Sequence, residues 1–324
     1  MKVVITDYNL PDIEIEESYC KAAGYDFVAL RTATDAERCD LVRDADAVIT
    51  QFAPVNAAVI DAMQKSRVIV RYGIGVDNVD VKAAAAKGIP VCNVPDYCID
   101  EVADHALAMI LDLTRKVTAN HNKVKSGSWG LALPLSAMFA LKSMTVGVVG
   151  FGRIGREVAS RLTAFKCKVL VYDPPVDAAT IRGAGCEPVA LDDLIRQSDL
   201  ITLHCPSIEQ TKQMINSKSI AAMKDGVMLV NTSRGTLVKT DDLVAALKSG
   251  KVSAAALDVT DPEPPDLQGE LVKLDNVIIN SHIASCSAQA VRKLRESVVN
   301  TVGIALRGEP LPNIINGVKP GAAK

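Results

Sequence analysis

Short, uninterrupted apolar runs recur along the whole chain, separated by stretches in which apolar residues return every three or four positions. Val3–Thr6, Phe27–Leu30, Ala47–Thr50, Val68–Arg71 and Pro90–Val94 read as strands, and Ala57–Gln64 and Val81–Lys87 between them read as helices. Strands without polar alternation are buried on both faces, so this order predicts βαβ winding around a parallel sheet. After Pro95 the pattern changes to one long helix over about Asp100–Val124. Val102, Ala106, Ile110 and Leu113 fall on one of its faces, and Asp96 or Asp100 is available as its cap. The loop Ser126–Leu135 then carries Gly127, Gly130, Pro134 and the single tryptophan, Trp129.

A second series runs Thr145–Val149, Lys168–Tyr172, Leu200–Leu203, Val227–Val230, Ala254–Leu257 and Val277–Ile279, with helices such as Arg153–Phe165, Leu191–Gln197 and Asp241–Lys248 between the strands. Six strands with crossovers predict a complete doubly wound sheet. Another helix, about Ala288–Leu306, follows the last strand and is expected to cross back to the first series, ahead of a Pro/Gly-rich end from Gly308.

Composition narrows the function classes. A length of 324 residues suits two domains, and 48% hydrophobic residues with only 4% aromatic suit cores of Ala, Val, Ile and Leu. With 36 Lys and Arg against 38 Asp and Glu, and no long basic run, nucleic acid is not an expected partner. No window approaches the ~18 apolar residues of a membrane helix, and the start lacks the pattern of a signal peptide. The expected location is therefore cytoplasmic, with no membrane partner. The eight cysteines are scattered without a Cys-x-x-Cys pair, which predicts packed, reduced thiols. Four histidines, none at ligand spacing, leave no set for a metal.

Chemistry first shows at Gly150, Gly152 and Gly155, between a buried strand and a helix. Gly150 permits the tight turn, Gly152 lets backbone approach a pyrophosphate, and Gly155 lets helix and strand pack closely. Asp173 closes the next strand, where a carboxylate meets the ribose diol, and Pro174-Pro175-Val176 offers no arginine for a 2′-phosphate, so NAD is favoured over NADP. The expected architecture is α/β with two doubly wound parallel-sheet domains. A Rossmann NAD-binding domain, residues 100–289, is inserted in a flavodoxin-like substrate domain of residues 1–99 and 290–324, with hinge helices near 100–124 and 288–306.

Ligands of such sheets bind at the carboxyl ends of strands. Arg234, Glu263 and His282 each follow a strand of the second series, and so does His204. An arginine grips a carboxylate, a histidine exchanges a proton with a hydroxyl or keto oxygen, and a glutamate stabilises the imidazolium. That equipment suits reversible oxidation of a 2-hydroxy acid, with two imidazoles competing for the acid/base role.

The segments Arg71–Asp80, Val91–Pro95, Gly150–Gly155, Asn231–Gly235, Ala256–Val259 with Glu263-Pro264, and His282-Ile-Ala resemble the D-2-hydroxyacid dehydrogenase family over essentially the whole chain. The resemblance implies that His282 is the acid/base, Glu263 its partner, and Arg234 the ligand of substrate carboxylate and keto oxygen. It implies further that Arg71 and the loop Gly73, Ile74 and Gly75 hold the substrate. Arg153 and Ile154 would meet the pyrophosphate, Cys205 would wall the adenosine side, Thr232 would adjoin the nicotinamide ribose, and Asp258 would hold the carboxamide. It also implies a homodimer paired around the long helix and the Trp129 loop. The first domain is similar both to phosphoglycerate dehydrogenases and to the C-terminal-binding proteins, dehydrogenase-like corepressors that sense NAD(H). Departures from these branches are Gln51, where phosphoglycerate enzymes carry a phosphate-holding arginine, and Ser285, where the corepressors place a pocket tryptophan. A dehydrogenase and an NAD(H)-sensing binding protein therefore both stand as readings, and the substrate is unassigned.

Overall fold

A strand with four apolar residues in a row must be covered on both sides, and the strands of this protein are arranged in that way. The computed structural model describes residues 1–318, and the last residues of the Pro/Gly-rich end lie outside them. Two units divide the chain: Met1–Tyr97 with the chain from Ser287 onward, and Cys98–Cys286.

The first unit holds β1 (Lys2–Ile5), β2 (Asp26–Ala29), β3 (Ala47–Thr50), β4 (Ile69–Arg71) and β5 (Val91–Cys92), all parallel, in the order β2-β1-β3-β4-β5. This is the flavodoxin-like order, whose switch point lies at the carboxyl ends of β1 and β3. One sheet face packs Val3, Ile5 and Ile49 against Leu294, Val298 and Val302 of the helix Ala288–Arg307. The other packs Val4, Val48 and Ile69 against Val59 and Ile60 of the helix Ala57–Ala62. The helix Asp35–Val42 opens on a Thr34/Glu37 capping box, a signal present in the sequence.

The second unit holds β6 (Thr145–Val149), β7 (Lys168–Tyr172), β8 (Glu187–Pro188), β9 (Leu200–Leu203), β10 (Val227–Asn231), β11 (Val252–Leu257) and β12 (Val277–Ile279), in the order β12-β11-β10-β9-β6-β7-β8. The sheet therefore has seven strands where the pattern predicts six. The additional strand, β8, pairs Glu187 and Pro188 with Leu170 and Val171 at one edge. Two residues, one of them a proline, leave no periodic trace and are tolerated only at an edge. The order reverses between β6 and β9, where the glycine loop lies.

The long helix is also two helices, Ile99–Arg115 and Val117–Lys125, separated at Lys116 with φ +55°. Ile99–Arg115 buries Val102, Ala106, Met109, Ile110 and Leu113, whereas Val117–Lys125 buries no residue, so packing ends where the helix breaks. Asp112 stabilises the break, its backbone carbonyl accepting from Lys116 N and its side chain from Thr118 N, both at 2.7 Å. Neither expected aspartate caps this helix: the cap residue is Cys98, and Asp100 instead pairs with Arg161 at 2.8 Å.

Candidate active site

Gly150 has φ +95°, and a Cβ there would stand 2.6 Å from the Cys205 nitrogen. At Gly155 a Cβ would strike the Gly150 carbonyl oxygen, whereas at Gly152 it would meet nothing within 4 Å. The loop is thus closed on the sheet side and open in front of the helix Arg153–Ala164, whose first-turn N–H groups lack intrahelical acceptors. Asp173 braces the loop by accepting from Phe151 N at 2.6 Å, leaving its second carboxylate oxygen available. Arg153 is exposed at the helix start, and Ile154 is half-buried against the core. At the end of β10 the hydroxyl of Thr232 is buried with no hydrogen-bond partner among the described residues. An open glycine cradle, a carboxylate after β7 and a buried hydroxyl awaiting a partner fit a dinucleotide.

The carboxyl ends of β9 to β12 carry the remaining candidates. Burial pushes the Cys205 thiol up to about 11, so this side chain is a neutral wall. Asn231, fully buried at the end of β10, donates to the Arg234 carbonyl at 2.8 Å and accepts from Ser233 N at 3.0 Å. These bonds shape the turn that presents Arg234, and Gly235 in the same turn packs directly on the Thr260 carbonyl. Asp258, at 1% exposure, accepts from Ile283 N and Ala284 N, both at 2.9 Å, while its carbonyl accepts from His282 N at 2.8 Å. His282 has φ +56°, a conformation uncommon for a non-glycine residue, and this clamp holds it. Its Nδ1 lies 2.6 Å from Glu263 Oε1. A carboxylate only accepts, so Nδ1 is the donor, and Nε2 is the ring nitrogen on the far side from Glu263.

The other strand-end imidazole has no carboxylate partner among the described residues. Burial pushes His204 down to about 3, and its Nε2 is bonded to Thr202 Oγ1 at 2.8 Å. A histidine that stays neutral above that pH cannot serve as the proton donor.

In the first unit, the Arg71 guanidinium fills the space where a side chain at Gly73 would stand, and Gly73 has φ +134°. The loop onward is pinned by Asn93, which donates to the Ile74 carbonyl at 2.6 Å. At the switch point, Asp7 accepts from the backbone N–H groups of Gln51, Phe52 and Ala53 at 3.0, 2.6 and 2.8 Å. This places the Phe52 ring 5.8 Å from the Arg71 guanidinium carbon. Gln51 Oε1 accepts from Asn9 N at 2.5 Å. Asp7, Asn93 and Asn231 position candidate residues; Asp7 stands in no motif, and Asn93 and Asn231 lie inside the segments Val91–Pro95 and Asn231–Gly235 with nothing in the spacing to mark their role.

Residues 107–284 match the family model described as the NAD binding domain of D-isomer specific 2-hydroxyacid dehydrogenases. The chain belongs to this family. It is 35% identical over 323 residues to the hydroxypyruvate reductase of Blautia hydrogenotrophica, covering 98% of this chain and 100% of that one. It is also 35% identical to the D-3-phosphoglycerate dehydrogenase of Archaeoglobus fulgidus over 98% of this chain, but spans only 59% of that longer relative. Among solved structures, the D-lactate dehydrogenase of Aquifex aeolicus in complex with NAD and lactic acid superposes with a TM-score of 0.87 at 31% identity, covering 95% of this chain and 96% of the other. This family member is thus an NAD-dependent oxidoreductase of the 2-hydroxy acid class, and the two parallel sheets are those of its structural neighbours.

Proposed function

We propose that this dehydrogenase interconverts a small, unphosphorylated D-2-hydroxy acid and its 2-keto acid, with His282, Glu263 and Arg234 as the catalytic residues. The observation that carries the reading is the Glu263–His282 pair at 2.6 Å, held at the strand ends by the Asp258 clamp. NAD supplies the hydride carrier. Glu263 fixes the imidazole with Nδ1–H inward, so that Nε2 gives a proton to the keto oxygen in reduction and takes it from the hydroxyl in oxidation. Arg234 grips the carboxylate and the adjacent oxygen through its planar fork of donors. Arg71 and the backbone of Gly73, Ile74 and Gly75 contribute further donors to the carboxylate. Gln51, whose side chain is engaged with Asn9, offers no charge to a phosphate, which supports an unphosphorylated substrate.

On the cofactor side, Gly150, Gly152, Arg153, Ile154 and Gly155 take the pyrophosphate, Asp173 the adenosine ribose, and Thr232 the nicotinamide ribose. Asp258 takes the carboxamide on lone pairs that its two backbone N–H partners leave, and Cys205 walls the adenosine side. A cytoplasmic homodimer completes the proposal. Free thiols at all eight cysteines suit a reducing compartment, and Val117, Trp129, Leu131 and Leu135 expose 61, 92, 48 and 73% of their surface within one stretch of chain, apolar area for a second copy to cover. Among the described residues no helix is long and apolar enough to cross a membrane.

The test is NADH oxidation with pyruvate, glyoxylate, hydroxypyruvate and its phosphate, on the parent and on His282→Ala. The parent should turn over at least one unphosphorylated acid faster than the phosphate ester. His282→Ala should lose ~10²–10⁴-fold in kcat with NADH affinity preserved. A variant that keeps the parent kcat would remove His282 from the mechanism.

A further inference from the structure

His105 lies on the helix Ile99–Arg115, far in sequence from every strand end, yet its Nε2 is 3.1 Å from Asn280 Oδ1 and 3.8 Å from Asp258 Oδ1. Those two residues bracket His282. Asn280 precedes it by two positions and is tied to β11 through its N–H to the Leu257 carbonyl at 2.9 Å. Asp258 holds the residues that follow it. One imidazole therefore touches both supports of the turn from the same side, and it stands on a helix anchored in the core by Val102, Ala106, Met109 and Ile110.

We infer that His105 is a positioning residue for His282, acting through Asn280 and Asp258. The physical need is the φ of +56° at His282, an uncommon backbone state that persists only where its surroundings over-determine it. Backbone bonds on the two sides of His282 fix its ends, but they run to the last residue of β11 and to Asp258 directly after it, so the turn could still tilt as a unit about that strand end. A hydrogen bond that Asn280 Oδ1 accepts from His105, on a different and well-packed element, removes that freedom. A side chain that swings by even ~1 Å leaves the geometry in which proton and hydride transfer are concerted, at a cost of the order of 10²-fold in rate. The pyrophosphate and adenosine contacts of the cofactor, at the glycine loop and Asp173, lie away from this contact; only the carboxamide position proposed for Asp258 adjoins it.

This inference rests on the assignment of His282 as the acid/base, and the two fail separately. His105→Leu keeps the bulk and removes the donor, and His105→Gln places an amide nitrogen near the original Nε2. With the keto acid that gives the fastest turnover, His105→Leu should lower kcat about 10–100-fold while KM and the NADH dissociation constant stay within about threefold. His105→Gln should recover most of the loss. Hydrogen exchange of a peptide spanning residues 280–286, followed without substrate or cofactor, should rise in His105→Leu and return towards the parent in His105→Gln. If His105→Leu does not fold, Asn280→Ala carries the same expectations. A kcat within twofold of the parent, equal damage in the glutamine variant, or unchanged exchange would overturn the positioning role. Loss of activity in His282→Ala alongside a normal His105→Leu would sink this inference and leave the catalytic assignment standing.

Discussion

Replacing Glu16 should cost the first unit a large part of its stability. Its carboxylate has no exposure to solvent and accepts from Arg295 Nε at 3.0 Å, from Arg295 Nη2 at 2.6 Å and from the Tyr72 hydroxyl at 2.9 Å. Burial and the Glu16 charge push the Tyr72 phenol well above its ordinary value, so it remains a donor at any working pH. In Glu16→Ala, Arg295, only 6% exposed in the parent, would keep Asp12, at 2.9 Å, as its carboxylate partner. Breaking a buried pair by deleting one charge typically costs ~3–5 kcal/mol, because the other charge is left uncompensated. Loss of the tyrosine bond adds about 1 kcal/mol. A total of about 4–6 kcal/mol compares with ~5–15 kcal/mol for a whole domain. Replacing both members with apolar residues, Glu16→Leu with Arg295→Met, removes the stranded charge and should recover most of the loss. Five of the six tyrosines lie in this unit, so urea unfolding followed by tyrosine fluorescence reports it selectively. A Glu16→Ala change below 1 kcal/mol, or a double variant less stable than the single one, would refute the reasoning.

Three further outcomes follow from the geometry. Asp173→Ser should raise KM for NADH about tenfold or more, in line with ~1.5–3 kcal/mol per hydrogen bond to a charged group, and narrow the preference over NADPH; Asp173→Asn, which keeps an acceptor for Phe151 N, separates the charge from the loop brace, and parity of the two cofactors in the parent would exclude the role. His204 is held neutral down to about 3, so the folded state binds fewer protons than the unfolded chain below the ordinary histidine value of 6.5. Its contribution to stability is complete above 6.5 and declines as pH falls towards 3; the drop in urea midpoint from pH 7 to pH 4.5 should therefore be smaller in His204→Gln, and an unchanged drop would contradict the burial argument. If the proposed dimer forms, Trp129→Ser with Leu135→Ser should convert it to monomer in sedimentation at micromolar concentration, and a parent that sediments as a monomer would rule out the pairing.

Much of the architecture is local information. Apolar runs such as Ala47–Thr50, Thr145–Val149 and Lys168–Tyr172 coincide with their strands because strands covered on both faces need unbroken hydrophobicity, and the glycine spacing after β6 is legible as a motif even though the backbone that crowds Gly150 comes from the distant residues His204 and Cys205. The family motifs likewise bring Arg234, Glu263 and His282 forward from the sequence. What depends on distant partners was not legible. The break at Lys116 occurs where the buried face ends, which hydrophobic spacing on one helix does not register. Strand β8 exists because an edge accepts it. Strand position alone leaves two imidazoles in competition, His204 and His282; the family motif favours His282, and the structure adds that His204 is paired with Thr202 whereas His282 is paired with Glu263. Asp7, Asn231 and the His105–Asn280 contact belong to the same class, since a buried polar side chain acquires its role from groups that the fold brings to it, and composition and periodicity carry no record of which groups those are.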